Sequence, residues 1–289
     1  QEIDFRVDNY CYVPQYIFSG IVFDDNGGIT AAQASATNAN LTTGAYANNS
    51  NYFNGVFNPS APELGIAGST IRLANCSNTS TTYPTQSVIR ANAPVGEYQI
   101  SIPKTTLASN TNLCLIESRT GTTYPLRTNS ESKNVGFSAT TYNYPNNDFG
   151  RVIAENVALV LRKYQYVNDC PPTLAYTAIN ETTTPSTGFS TASISNIEPG
   201  RCIAYKISAT NRANINIDNF IMRDILQQKG VNGATVTSVL ANPALSTTDY
   251  TATENPAIGA NGEVKTKTFV LNPGTKRDFY FNTKYGTTQ

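Results

Sequence analysis

Cys202-Ile-Ala-Tyr-Lys-Ile-Ser-Ala209 is the stretch whose reading decides the fold class. Ile203, Tyr205, Ile207 and Ala209 alternate with Cys202, Ala204, Lys206 and Ser208, the period-2 pattern of a half-buried strand. The pattern recurs in both directions. Tyr98, Ile100 and Ile102 repeat it between Gly96 and Pro103, and Phe279, Phe281 and Tyr285 line one face of the last segment. Turn signals punctuate the runs at Asn26-Gly27-Gly28, Pro94-Val95-Gly96, Pro199-Gly200, Asn232-Gly233, Asn261-Gly262 and Pro273-Gly274. Many short strands separated in this way predict an all-β chain built as β-sandwiches. Asn219 to Gln228 has the only helical look, and it reads as a strand plus a loop.

At 289 residues the chain is long for one domain and comfortable for two. The polar, proline-rich step Asn168-Asp169-Cys170-Pro171-Pro172 is the natural boundary. The expected organisation is a separate terminal strand at 1–15, a first sandwich at 16–167 closed by the apolar-to-aromatic segment Val152 to Val167, and a second at 168–289.

Composition narrows the function. Charged residues make up 14% and the formal net charge is zero, which argues against nucleic acid and against electrostatic binding to a membrane surface. No apolar run approaches the ~18 residues of a membrane span. The chain contains no His and no Trp, so the commonest general base and metal ligand are missing. No catalytic residue is assigned, and the chain is expected not to be an enzyme. No basic n-region with an apolar core is present either, so a secreted chain would be read as already mature, with Gln1 left by signal cleavage.

Five cysteines, Cys11, Cys76, Cys114, Cys170 and Cys202, show no C-x-x-C spacing. Without His a zinc site is disfavoured, and disulfides in an oxidising compartment are the better reading. Pairing Cys76 with Cys114 and Cys170 with Cys202 keeps each bond inside one half of the chain. Cys11 is left over, as a buried thiol, as a member of a different pairing, or as a bond to another subunit.

Two further features bear on function. Ile3, Phe5 and Val7 alternate with Asp4, Arg6 and Asp8, a one-faced strand that either edges the first domain or completes the sheet of a neighbouring subunit. The acidic turn Asp24-Asp25-Asn26 before Gly27-Gly28 offers oxygen ligands for calcium, with Glu63 as a distant partner. A plain Asp/Asn/Gly turn accounts for it equally well.

Gly20-Ile-Val-Phe-Asp-Asp-Asn-Gly-Gly28, Glu63-Leu-Gly-Ile-Ala-Gly-Ser-Thr-Ile-Arg-Leu73 and Gly96-Glu-Tyr-Gln-Ile-Ser-Ile-Pro103 occur in that order. Together they resemble the prealbumin-like B-type domains of bacterial surface adhesins such as the serine-aspartate-repeat proteins, over roughly residues 17 to 165. Residues 170 to 285 resemble the conserved repeat domain of unknown function found in bacterial surface proteins, through Pro199-Gly200, Tyr205, Ile207, Asn211, Asn219-Phe220, Asp224, Leu226 and Pro273-Gly274. The two-domain order is similar to surface proteins of the Acinetobacter and Psychrobacter kind. The resemblance implies prealbumin-like and immunoglobulin-like sandwiches on a bacterial surface, and it carries over no catalytic residue. It implies calcium loops in some members, and Lys–Asn isopeptide bonds in others, for which Lys163 and Lys206 are the candidate lysines, each expected on a solvated strand face. The expected function is therefore an extracellular, homopolymeric fibre or pilus-like subunit that assembles by strand addition, with Ile3, Phe5 and Val7 filling a neighbour's sheet. The alternative is a monomeric adhesin or stalk that binds a host or abiotic ligand.

Overall fold

The computed structural model describes residues 13–87 and 93–287. It is all-β. The helical turns among the described residues are four 3-10 pieces of three residues each. The expected assembly residues Ile3, Phe5 and Val7, and Cys11, lie outside the described residues.

The chain divides into two compact units. One holds the described residues up to Ala34 together with Asn49–Val157; the other holds Ser35–Asn48 and the chain from Ala158 onward. In chain order the first unit contains β1 (Gln15–Asp24), β2 (Ser69–Asn75), β3 (Gln86–Ser87), β4 (Glu97–Pro103), β5 (Leu113–Arg119), β6 (Leu126–Arg127), β7 (Ser132–Asn134), β8 (Asn143–Tyr144) and β9 (Phe149–Val152). One sheet runs β3-β4-β1-β9-β6, with β8 also on β1, and the other runs β2-β5-β7.

The long strand β1 organises this unit. It pairs antiparallel with β4 from Gln15↔Pro103 to Ile21↔Glu97, and parallel with β8 and then β9 on its other side. Between those two parallel partners the chain itself closes the gap: Asn147 N–H donates to the Ser19 carbonyl at 3.1 Å, and Ile21 N–H to Asp148 Oδ1 at 2.9 Å. Gly20 permits this approach, because a Cβ there would lie 2.4 Å from the Asn147 carbonyl oxygen. Phe18 and Val22 of β1, Ile100 and Ile102 of β4 and Phe149 of β9 pack against Leu73 of β2 and Leu113 and Leu115 of β5, so the core lies between the two sheets. Each such side chain contributes roughly 1.5–3 kcal/mol by leaving water. The Cys76–Cys114 disulfide ties the end of β2 to β5.

The second unit contains β10 (Leu159–Asn168), β11 (Cys202–Asn211), β12 (Ile217–Phe220), β13 (Arg223–Ile225), β14 (Thr237–Ala241), β15 (Glu263–Lys265), β16 (Phe269–Leu271) and β17 (Thr275–Thr287). An antiparallel sheet of order β10-β11-β17-β14 packs one face on the small ladders β12-β16 and β13-β15, through Ile207, Leu240, Phe279 and Phe281 against Phe220, Met222, Val264 and Leu271. Its other face is covered in part by residues 174–189, where Leu174, Tyr176, Ile179 and Phe189 meet Tyr164, Ala204 and Tyr280.

Two sequence expectations change here. Val152 to Val167 was expected to close the first sandwich, but β10 pairs with β11 over all ten residues, from Leu159↔Asn211 to Asn168↔Cys202. Pro171-Pro172 marks the start of a long connection inside one sheet, across which the Cys170–Cys202 disulfide reaches. Second, β11 is buried on both faces, so Lys206 is only 5% exposed and does not sit on a solvated face. Period-2 alternation marks the face that meets the main core; it says nothing of a loop laid over the other.

Candidate functional sites

The acidic turn follows directly from the end of β1. Asn26 Nδ2 donates to Asp24 Oδ2 at 2.8 Å, and Asn26 Oδ1 accepts from Gly28 N–H at 2.7 Å, a self-contained Asx turn. Gly27 has φ of 57° and sits so close to the neighbouring loop that a Cβ would lie 2.5 Å from the Tyr52 nitrogen. Asp25 points the other way and is fully buried. Its Oδ1 accepts from Asn54 N–H at 3.2 Å and its Oδ2 from Gly55 N–H at 2.6 Å. Glu63, 2% exposed, accepts from Gly27 N–H at 3.1 Å through Oε1 and from Asn58 N–H at 2.7 Å through Oε2.

The structure thus brings Asp25 and Glu63 together as a pair of adjoining carboxyls that hold residues 54–58 onto the turn. Burial is the largest cause of their altered acidity. It pushes Glu63 up to about 8, with the Asp25 charge adding to the rise, and Asp25 up to about 6. Burial also lifts Asp24 to about 6. Near neutrality Glu63 therefore retains a proton beside Asp25, as one member of a crowded carboxyl pair does.

For calcium ligation by Asp24, Asp25 and Asn26, Asp25 is fully buried with each oxygen accepting a backbone N–H, and Asp24 Oδ2 and Asn26 Oδ1 are spent on the Asx turn. Asp24 Oδ1 is buried with no hydrogen-bond partner. Among the described residues no three acidic or Cys side chains close into a group that could hold a metal ion.

The second site is an edge. β2 pairs with β5 on one side, from Ser69↔Arg119 to Asn75↔Leu113, and has no ladder partner on the other among the described residues. Beside it runs a groove of about 420 Å³, lined by Ile66, Ser69 and Ile71 on the β2 side and by Tyr98 and Ile100 of β4. The first part of β2, Ser69–Arg72, is only partly covered and lies beside the groove, whereas Leu73 and Ala74 are buried; a partly uncovered strand edge beside a groove is the geometry that strand addition uses.

The two candidate lysines part company. Lys163 is exposed and donates to Asp224 Oδ1 and Oδ2 at 2.8 and 2.6 Å. Lys206 lies under residues 174–189, with its ammonium on Glu181 and 4.4 Å from the Tyr164 ring centroid. Each lysine's nearest charged partner is a carboxylate held as an ion pair.

Sequence reasoning missed a charged cluster that locks the first sandwich. Arg151 of β9 donates from Nε and Nη2 to the two Glu117 oxygens of β5, both at 2.8 Å, and Arg127 joins them at 3.2 Å. Burial would raise Glu117, but the Arg151 hydrogen bonds and the charges of Arg151 and Arg127 hold it below the usual carboxylate range. An Arg inside the otherwise apolar run Phe149–Val152 was the available signal.

Together these features define a disulfide-bonded, all-β sandwich protein with an open strand edge. No family model matches the chain, and no curated protein and no solved structure matches it either.

Proposed function

We propose that this chain is the structural subunit of an extracellular bacterial surface fibre, joined to its neighbours by β-strand addition. The N-terminal run of one copy pairs with the outer side of β2 in the next, and Ile3, Phe5 and Val7 enter the groove beside it. The single observation that supports this reading most is the edge of β2, which has no ladder partner among the described residues and lies next to a groove that Ile66, Ile71, Tyr98 and Ile100 help to line, because a terminal strand with one apolar face needs such a partner. The two disulfides fit an oxidising compartment. Electron microscopy of the full chain beside a version lacking Gln1 to Asp8 tests the reading. Filaments from the full chain alone support it; particles that stay monomeric in both sink it. A second reading, a monomeric adhesin, is favoured by one specific feature, a polar pocket in the second unit.

A further inference from the structure

We propose that this pocket, on the face of the β10-β11-β17-β14 sheet, binds a small acidic sugar: a pyranose bearing one carboxylate. The inference is independent of whether the chain polymerises. Its volume is about 370 Å³, room enough for a small sugar.

The floor comes from β11. Beyond Lys206 the same strand face continues with Ser208 and Thr210, at 3% and 0% exposure. Register sets a cation on each side of this hydroxyl pair, Arg162 of β10 opposite Ser208 and Lys276 of β17 opposite Thr210. Ser208 Oγ donates to Asp278, whereas the Thr210 hydroxyl is buried without a hydrogen-bond partner. It lies just beneath the pocket floor, so a ligand that presses into that floor would give it the partner it lacks.

The remaining wall is a loop held in place for it. Asn38 and Asn40 face the pocket from the segment Ser35–Asn48, which belongs to this unit. The buried Arg212 holds that segment by donating from Nη1 to the Ser35 and Asn38 carbonyls at 2.6 and 2.9 Å, with its guanidinium 3.8 Å from the Tyr46 ring centroid. Arg162 spends one donor, at 3.2 Å, on the Thr37 carbonyl, which leaves most of its five N–H groups for other partners.

Charge and donor type select the ligand. The charged residues of the pocket wall are Arg162, Lys276 and Glu181, two cations against one carboxylate, so a single negative charge is matched and a dianion is not. Hydroxyls, side-chain amides and the Glu181 carboxylate suit the hydroxyls of a sugar ring. The cation pair Arg162 and Lys276 suits its carboxylate. A neutral sugar gains nothing from the excess positive charge of the wall, and a bare carboxylate leaves the hydroxyl floor unused.

The test is an amide-shift titration of the full chain with glucuronate, beside glucose and acetate. Saturable shifts at the Ser208 and Thr210 amides by glucuronate, in the millimolar range and about tenfold tighter than by either control, are expected. Lys276→Ala should weaken glucuronate about tenfold through loss of a charge-assisted contact. Thr210→Val should weaken it about fivefold while leaving the melting temperature equal or higher, since a methyl replaces an unpartnered hydroxyl. A merely structural Thr210 would not separate binding from stability in that way. No saturable shift, an equal response to glucose or acetate, or glucuronate binding unchanged in both variants would overturn the proposal.

Discussion

Asp25 and Glu63 set the chemistry of the acidic turn, and their acidity makes a signed prediction. Glu63 is raised in the folded chain from an ordinary 4.5 to about 8. Its contribution to stability is therefore fully present below pH 4.5 and is lost as pH rises through about 8. Asp24 and Asp25, raised to about 6, lose theirs over a lower window of the same sign. Glu117 runs the other way: held low by Arg151, it stabilises above the ordinary carboxylate range and loses that contribution as pH falls. Glu63→Gln isolates the first effect. The variant keeps one acceptor where Glu63 has two, so it should melt below the wild type at pH 5. The gap should close or reverse by pH 8.5, a relative change of a few degrees, about what 1 kcal/mol produces in a chain of this size. A gap that stays constant between those pH values in thermal melts would contradict the pairing. The sequence made these residues visible as acids beside Asn and Gly. It did not reveal that backbone N–H groups of residues 54–58 would meet their oxygens, because that contact depends on where a distant loop lands. Lys206 was hidden for the same reason: its strand pattern is unchanged by the cover laid over it.

Elements were more legible than contacts. The strand runs around Tyr98, Ile203 and Phe279 all lie within strands, since alternation over such lengths has few other meanings. Cys76 bonds Cys114 and Cys170 bonds Cys202, as keeping each pair within one half suggested. The strand β10 was misplaced because its partner is set by register and long-range pairing, not by the prolines that follow it. The passage of Ser35–Asn48 into the second unit was illegible too, since the buried Arg212 that fixes it lies far along the chain. One element-scale prediction follows from β1. Gly20→Ala drives a Cβ to 2.4 Å from the Asn147 carbonyl oxygen, so residue 147 or the strand must move. The expected cost is about 1–3 kcal/mol, the range for forcing extra atoms into a packed site, read as a lower urea midpoint with an unchanged slope. An unaltered midpoint would show that the connection between β8 and β9 yields freely.

For the whole molecule, the side of β2 that has no ladder partner among the described residues is the feature that most needs one. Isolated edges of this length invite pairing, and natural proteins cover or blunt them. In the proposed fibre the terminal run of another copy would lie there, with its apolar side chains toward Ile66, Ile71, Tyr98 and Ile100 and its charged ones outward. Strand alternation would put Arg6 of the incoming run on the outward side, where Thr70 of β2 is exposed. The most direct test is cysteine trapping with Arg6→Cys and Thr70→Cys in a Cys11→Ser background. Mild oxidation of the double variant should give a ladder of disulfide-linked multimers, with the Arg6–Thr70 cross-link identified by mass spectrometry and each single variant giving no more than dimers. Only monomers under conditions that oxidise the free thiols, or a cross-link formed within one chain, would contradict strand addition between copies.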